Sequence, residues 1–177
     1  MIELRPFTRN DIPAMFKIAK EHEPFAEFVG PEQAVASLLR QEGWVFCENG
    51  VVVGHVTLSD FRVLHSVLLH ATIIPACRGK CISARALRTI FGRLFDPDSL
   101  DLVKVYAYAV MGKTYQAART LDDLGFSREG VDRHGLVLPD GRMFDILKYA
   151  MLREECPWIR TKAEIRAWLA GRRNEPR

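Results

Sequence analysis

Residues 73–87 read IIPACRGKCISARAL, and this stretch decides the fold. An apolar strand stops at Pro75, a short basic loop follows, and a helix begins at Ser83. Such a turn directs several free backbone N–H groups and the positive end of a helix toward one place, which is how many proteins bind a phosphate or pyrophosphate. The stretch therefore predicts a strand, an anion-binding loop and a helix in succession.

Two common phosphate-binding motifs are excluded by single residues. Gly79 and Lys80 are followed by Cys81 rather than by Ser or Thr, and Ile74 stands where a Walker loop has its first glycine. The Gly-rich fingerprint of dinucleotide-binding folds, GxGxxG, does not occur in the chain. The loop therefore belongs to another class of anion site.

The same loop resembles the acyl-coenzyme A loop of the GNAT N-acetyltransferases, in which Arg or Gln is followed by x-x-Gly-x-Gly/Ala. Cys81 and Ser83 stand at the two positions where that family usually has Gly and then Gly or Ala. Further motifs follow in the order typical of the RimJ/RimL-type branch: Leu124-Gly125-Phe126, Glu129-Gly130, Asp140-Gly141-Arg142 and Leu152-Arg153-Glu154-Glu155. With the opening Leu4-Arg5-Pro6-Phe7, the resemblance extends over residues 2–157.

The resemblance implies an α/β (α+β) protein with the GNAT fold: a mixed, mostly antiparallel central sheet in which strands 4 and 5 splay apart, with helices on both faces. Residues 1–157 are expected to form one acetyltransferase domain, and 158–177 a C-terminal helix and basic tail. The implied activity is transfer of an acetyl group from acetyl-CoA, as co-substrate, to the primary amine of a protein N-terminus, a lysine or a small molecule. The alternative is a catalytically weak protein of this fold that acts by binding a partner protein.

Local residue patterns predict the elements in that order. The clearest signal is Asn49-Gly50, because these residues readily adopt the positive φ angles of a tight hairpin turn. Three further helices are predicted: one capped by Asn10 or Asp11, one that begins at Pro31, and one that runs from Thr114 and is ended by Gly125. Strands are predicted at 67–74 and 103–110, and a hairpin at Pro139-Asp140-Gly141.

The composition fits one globular domain. The chain has 177 residues, of which 48% are hydrophobic and 27% charged. No apolar run approaches the roughly 18 residues needed to cross a bilayer, and no cleavable signal pattern follows Met1, so we expect a cytoplasmic protein without membrane contact. A net charge of +3 with scattered arginines argues against a nucleic-acid partner. The four cysteines have no paired spacing, which indicates free thiols and no metal site.

The resemblance also assigns residues to the coenzyme. The pantetheine arm is expected to lie along strand 67–74 like an additional strand, with a backbone N–H near Ile73 or Ile74 facing the thioester carbonyl. Thr114 is expected to cap the next helix and to contact the pantetheine. The pyrophosphate is expected on the backbone N–H groups of the loop, to which two side chains add positive charge: Arg78, Gly79, Lys80, Cys81, Ile82 and Ser83.

The catalytic side chains are less closely defined. The glutamate that many relatives carry on the strand before the loop aligns with Leu68. The tyrosine that many relatives use as the acid toward the departing thiolate aligns with Leu121. His70 is a candidate general base, because imidazole titrates near neutral pH, although a histidine on a strand is also often simply packed and hydrogen-bonded. Tyr106 and Tyr108 share one face of their strand and are candidates either for a catalytic acid or for the pocket wall.

Two further segments bear on substrates and partners. Residues 21–28 and 134–140 are the expected acceptor-binding segments, and the first combines carboxylates with two phenylalanines, which suits a cationic amine or a capped surface loop. In the C-terminal segment, Ile165, Trp168 and Leu169 form one helical stripe. This stripe either packs on its own domain or forms a homodimer or protein-partner interface.

Overall fold

Seven strands and three α-helices make up the described part of the chain. The computed structural model describes residues 2–22, 42–62, 66–77, 84–111 and 115–159. The strands are β1 Ile2–Pro6, β2 Glu42–Glu48, β3 Val51–Arg62, β4 Ser66–Ile73, β5 Lys104–Val110, β6 Ser127–Val137 and β7 Met143–Leu152. The helices are α1 Ile12–His22, α2 Ala84–Phe95 and α3 Tyr115–Leu124. No helix in these ranges is long and apolar enough to cross a membrane.

All seven strands belong to one sheet, in the order β1-β2-β3-β4-β5-β7-β6. Every neighbouring pair is antiparallel except β4 and β5, which are parallel. The expected mixed, mostly antiparallel sheet is confirmed, and the strands predicted at 67–74 and 103–110 are present with bounds that differ by one residue. The helix predicted from Pro31 lies outside the described residues.

The turn between β2 and β3 is the predicted hairpin. Asn49 has φ +52° and Gly50 has φ +79°, as a tight turn between twisted strands requires. The turn places Glu48 opposite Val51, and after a bulge next to Cys47 the pairing continues along β3. A local pair of residues thus determines which β3 side chains lie on each face of the sheet.

Helices cover both faces of the sheet, as the resemblance implied. On one face, Met15 of α1 packs against Val45 and Cys47 of β2. On the other face, α2 and α3 pack on the main core, to which α2 contributes the fully buried Phe91 and Leu94. This arrangement leaves the ends of β4 and β5 to form the edges of a cleft.

A buried carboxylate holds the chain just before α1. Asp11 is 7% exposed, and its oxygens accept hydrogen bonds from both terminal nitrogens of Arg5, at 2.7 and 2.8 Å. They also accept from the backbone N–H of Thr8 at 2.7 Å and from its hydroxyl at 2.9 Å. The expected cap therefore differs in detail, because the Asp11 side chain closes the turn that precedes α1. Its hydrogen bonds with Arg5 are the main cause that holds the pKa of Asp11 well below its usual range.

We expect Asp11→Asn to lower the free energy of unfolding by about 2 kcal/mol near neutral pH, because a neutral amide accepts weaker hydrogen bonds from Arg5 and Thr8. Since the folded-state pKa of Asp11 is depressed, its stabilising effect is complete above the unfolded carboxyl pKa of about 4 and declines as the pH falls below it. Urea unfolding at about pH 7 and about pH 3 measures the difference, which should shrink in acid.

The matched control for this prediction is Asp98→Asn, because Asp98 is an exposed carboxyl in a turn. Its effect on the free energy of unfolding should stay within about 0.5 kcal/mol at both pH values. An Asp11→Asn loss of the same size in acid as at neutral pH would show that the charge of Asp11 does not contribute.

The end of the described chain packs onto the domain. Trp158 is 5% exposed and belongs to the main core, and its Nε1–H donates to the Leu124 carbonyl at 2.8 Å. The short turn at 157–159 also contacts α2. The first residues after the expected domain end are therefore held by the domain, while the boundary itself stays a prediction. Residues 160–177, with the apolar stripe predicted there, lie outside the described residues.

Candidate active site

The cleft is formed where β4 and β5 part. The two strands pair over three residues each, Ser66–Leu68 with Lys104–Tyr106. Both described strands then continue, β4 to Ile73 along β3 and β5 to Val110 along β7. The described pairing between β4 and β5 stops there, so their inner edges part and leave an opening between residues 69–73 and 107–110. A parallel pairing that covers only three residues of each strand agrees with the expected splaying of strands 4 and 5.

The two edges of β4 present different backbone groups. The Ile74 N–H donates to the carbonyl of Val53 at 3.0 Å, so it points toward β3. Successive N–H groups of an extended chain point in opposite directions, so the Ile73 N–H points toward the opening beside β5. Of the two residues where the backbone donor is expected, Ile74 has its N–H bonded to β3. Ile73 stays the predicted donor to the thioester carbonyl.

The structure brings His70 and the two tyrosines to the same face of the sheet. Leu68 pairs with Tyr106, and paired residues share a face, so His70 on β4 and Tyr108 on β5 lie on that face too. His70 is exposed, and Tyr108 is 43% exposed. Both lie beyond the last β4–β5 pair, so they flank the open part of the cleft from opposite sides.

Tyr106 occupies a different place from Tyr108. Its hydroxyl lies 2.6 Å from the Ser66 hydroxyl, and this contact joins β4 and β5 at their paired end. The Lys104 ammonium lies 5.5 Å from the centroid of the Tyr106 ring, within the range of a cation–π contact. Tyr106 therefore fastens the closed end of the cleft, while Tyr108 lines its open part.

Two ion pairs lie beside the two tyrosines, and their side chains come from strands β5, β6 and β7. Lys148, which is opposite Tyr108, lies 3.0 Å from Asp132. Lys104 lies 2.5 Å from Glu129. Since all four side chains are partly exposed, each pair contributes at most about 1 kcal/mol to stability. The charges cancel within each pair, so these four side chains together add no net charge.

A polar cluster that sequence reasoning missed lies between β3 and β4. His55 is opposite Thr72, and Thr57 is opposite His70, so all four share one face. His55, Thr57 and Thr72 are 3%, 2% and 6% exposed. Burial, and secondarily the proximity of His70, lowers the pKa of His55 to about 4. The His55 imidazole is therefore neutral at neutral pH.

The signal for this cluster is present in the sequence. His55 and Thr57 alternate with the apolar residues Val56 and Leu58, so a buried polar stripe follows once both faces of β3 are known to be covered. A strand with one solvent-exposed face gives the same alternation. The pattern alone therefore does not distinguish a buried histidine from an exposed one.

The two positions aligned with the catalytic residues of relatives hold leucines, which have no acid–base chemistry. Leu68 is half-buried beside Tyr106 at the last β4–β5 pair. Leu121 is buried in the main core, 8% exposed. Beyond the last β4–β5 pair, His70 and Tyr108 are the acid–base side chains that these two described strands carry.

The predicted anion loop connects two described elements. The short turn at 75–77 follows β4, where the Cys77 N–H donates to the Ile74 carbonyl at 3.0 Å, and α2 begins at Ala84. Residues 78–83 and Thr114 lie outside the described residues. Their assignments to the coenzyme, Arg78 to Ser83 for the pyrophosphate and Thr114 for the pantetheine, stay predictions.

Comparison with known proteins relates the chain to solved structures. By sequence, it matches no protein-family model and no curated protein. An N-acetyltransferase from Staphylococcus aureus Mu50 has a TM-score of 0.70 at 15% identity, over 86% of this chain and 99% of that one. A chimera of the Vibrio cholerae spermidine N-acetyltransferase SpeG and hSSAT has a TM-score of 0.73 at 17% identity, over 90% and 99%. The ribosomal-protein-S5-alanine acetyltransferase from Vibrio fischeri has a TM-score of 0.69 at 19% identity, over 88% and 94%.

These likenesses establish the fold. The chain has the fold of the GNAT acetyltransferases, with a seven-stranded mixed sheet opened between its two central parallel strands. At identities of 15–19% the likeness concerns the architecture. The activity depends on the residues that line the cleft.

Proposed function

We propose that this protein is an acetyl-CoA-dependent N-acetyltransferase that acts on a primary amine. The observation that carries the proposal is the opening between β4 and β5, which leaves one edge of β4 beyond Leu68 facing a cleft. An extended pantetheine arm can pair with such an edge as an additional strand would. The order of motifs further supports a member of the RimJ/RimL-type branch, and the cytoplasm is its proposed location.

The backbone supplies much of the proposed chemistry. The Ile73 N–H, which points into the opening, donates to the thioester oxygen as that oxygen gains charge. The loop from Arg78 to Ser83 holds the pyrophosphate with its N–H groups, and Thr114 contacts the pantetheine. Holding the thioester beside the amine also removes much of the entropy cost of bringing the two reactants together.

Side chains on the cleft face accept and donate the protons of the proposed reaction. His70 accepts a proton from the amine, whose nitrogen forms the new bond to the acetyl carbon as the carbon–sulfur bond breaks. Tyr108, across the opening, gives a proton to the departing thiolate and is later reprotonated from solvent. Tyr106 supports this arrangement by fastening β4 to β5 through Ser66.

The acceptor is proposed only as a primary amine, such as a protein N-terminus, a lysine or a small amine. Spermidine, the acceptor named for one of the solved structures, is an amine of the last kind. The balanced ion pairs next to Tyr108 do not favour one acceptor charge over another. A homodimer or protein partner bound through the C-terminal helix also stays a proposal.

Binding of acetyl-CoA tests the function. Coenzyme that binds only the folded state should raise the thermal midpoint by mass action. We expect Gly79→Val to raise the acetyl-CoA dissociation constant at least about tenfold, because a branched side chain in the loop hinders the close approach of backbone to phosphate. Isothermal titration calorimetry measures the constant, and circular dichroism checks the fold.

The control is Gly130→Val in β6, where a Cβ atom has no neighbour within 4 Å. This variant should bind acetyl-CoA as the wild type does. An unchanged constant in Gly79→Val would reject the loop assignment. A wild type whose thermal midpoint does not move at about millimolar acetyl-CoA would instead favour the alternative, a protein of this fold that acts by binding a partner.

A further inference from the structure

The buried imidazole of His55 has an unsatisfied nitrogen. Among the described residues, no hydrogen-bond partner reaches its Nδ1. Buried polar atoms are nearly always hydrogen-bonded, because leaving one unsatisfied costs free energy. With the residue only 3% exposed, bulk water does not supply the missing bond. Such an atom, on the same face of the sheet as His70, indicates a hydrogen-bonding role that the contacts among the described residues do not use.

The surroundings of His55 identify His70 as its titratable neighbour. The residues opposite His55 are Val45 in β2 and Thr72 in β4. His70 lies two residues before Thr72 on the same face, diagonal to His55 and near enough that its charge opposes protonation of His55. The charged residues of α1, the helix that covers this face, are exposed within its described part: Lys17, Lys20 and Glu21.

We propose that His55 is a positioning residue for His70, to which its Nδ1 is linked by a water molecule held between the two imidazoles. The inference rests on the proposed function, in which His70 is the general base. The link fixes the orientation and the tautomer of the His70 ring, as the third group of a catalytic triad does for its histidine. A bridging water can satisfy a buried ring nitrogen that has no direct protein partner.

Burial of His55 serves this role. A neutral imidazole adds no positive charge beside an incoming ammonium group, so it orients His70 without repelling the substrate or competing for the proton. The cluster therefore combines a fixed orientation with a neutral environment.

The first test is spectroscopic and needs no substrate. In ¹⁵N-labelled protein, the imidazole nitrogen shifts of His70 report its tautomer. We expect them to change in His55→Phe, which keeps a ring but has no nitrogen, and to return toward the wild type in His55→Gln, whose amide can bond the water. Thr72→Val, which removes another polar group from the same face, should leave them unchanged. Unchanged His70 shifts in His55→Phe would overturn the inference.

The wild-type spectrum provides a second test that does not depend on whether the His55 variants fold. The ¹⁵N shift of His55 Nδ1 should show a hydrogen bond, and the shift of an unbonded ring nitrogen would also overturn the inference. These spectra are independent of turnover. A wild type without acetyltransferase activity would therefore reject the proposed function, while the link between the two imidazoles would still be decided.

The kinetic test separates positioning from simple stability. We expect His55→Phe to lower kcat about tenfold with the KM for acetyl-CoA within about twofold, and His55→Gln to recover most of the loss. In a His70→Ala background, His55→Phe should lower kcat by less than about twofold more, since residues that act as a unit are not additive. A second full tenfold loss in that background would overturn the inference.

Discussion

His70→Ala is expected to lower kcat for acetyl transfer by about 100-fold, the usual contribution of a general base. His70 is exposed on β4 beyond the last pair with β5, so its imidazole lies on the cleft face where the proposed reaction takes place. The coenzyme is proposed to bind through backbone groups and the loop. The KM for acetyl-CoA should therefore change far less than kcat.

The pH dependence of the reaction rate should also change in a defined direction. A general base acts only in its unprotonated form, so the wild-type rate should fall as the pH is lowered. Without the imidazole, the amine must lose its proton to water, which is easier at high pH. The pH optimum of His70→Ala should therefore shift upward, and steady-state release of the thiol measures it.

His70→Gln is the matched control. It keeps a polar side chain of similar reach but has no basic nitrogen, so it should lose about as much activity as His70→Ala. A variant that retains more than about a third of the wild-type kcat would remove His70 from the mechanism. Backbone groups and water, or one of the two tyrosines, would then remain as candidates.

Elements whose signals are local were predictable from residues alone. Asn49-Gly50 formed the expected hairpin turn, and Gly125, with φ +94°, follows the last residue of α3. In both places a few neighbouring residues decide the backbone conformation. The order of the strands and the opening between β4 and β5 depend on pairing between distant segments, so they followed from the resemblance to a family.

Details of the site depended on register, which short patterns do not determine. Whether the backbone N–H of Ile73 or that of Ile74 points toward the cleft follows from the hydrogen bond between the Ile74 N–H and the Val53 carbonyl. These two residues lie on different strands and meet only in the folded sheet. The burial of His55 likewise requires knowing that α1 covers β3 and β4. A sequence pattern identifies candidate residues at such places, whereas the fold decides their direction and their neighbours.

Trp158 lies just after the expected end of the domain. The sequence assigned it to the appendage after 157, yet its ring is buried in the main core and contacts the domain near α2. Its Nε1–H also satisfies the Leu124 carbonyl, one of the groups left without an intrahelical partner at the end of α3. The end of the described chain is thereby held to α3 through this hydrogen bond and to α2 through the turn at 157–159.

We therefore expect Trp158→Ala to lower the free energy of unfolding by about 3–5 kcal/mol, through lost burial and the cavity left behind. Trp158→Phe keeps most of the apolar contact but leaves the Leu124 carbonyl unsatisfied, so its loss should be about 1–3 kcal/mol. Urea unfolding followed by circular dichroism measures both. Since small domains have only about 5–15 kcal/mol of stability, the alanine variant should show a clearly lower midpoint.

A chain that ends after Ile159 is the control, because it removes residues 160–177 and keeps the Trp158 ring in its site. Its stability should stay much closer to the wild type than that of Trp158→Ala. Light scattering on the same truncated protein tests the proposed homodimer, since an unchanged mass relative to the full chain would exclude an interface formed by the C-terminal helix. A truncated protein as unstable as Trp158→Ala would instead show that the segment after 159, and not the tryptophan alone, holds the chain end on the domain.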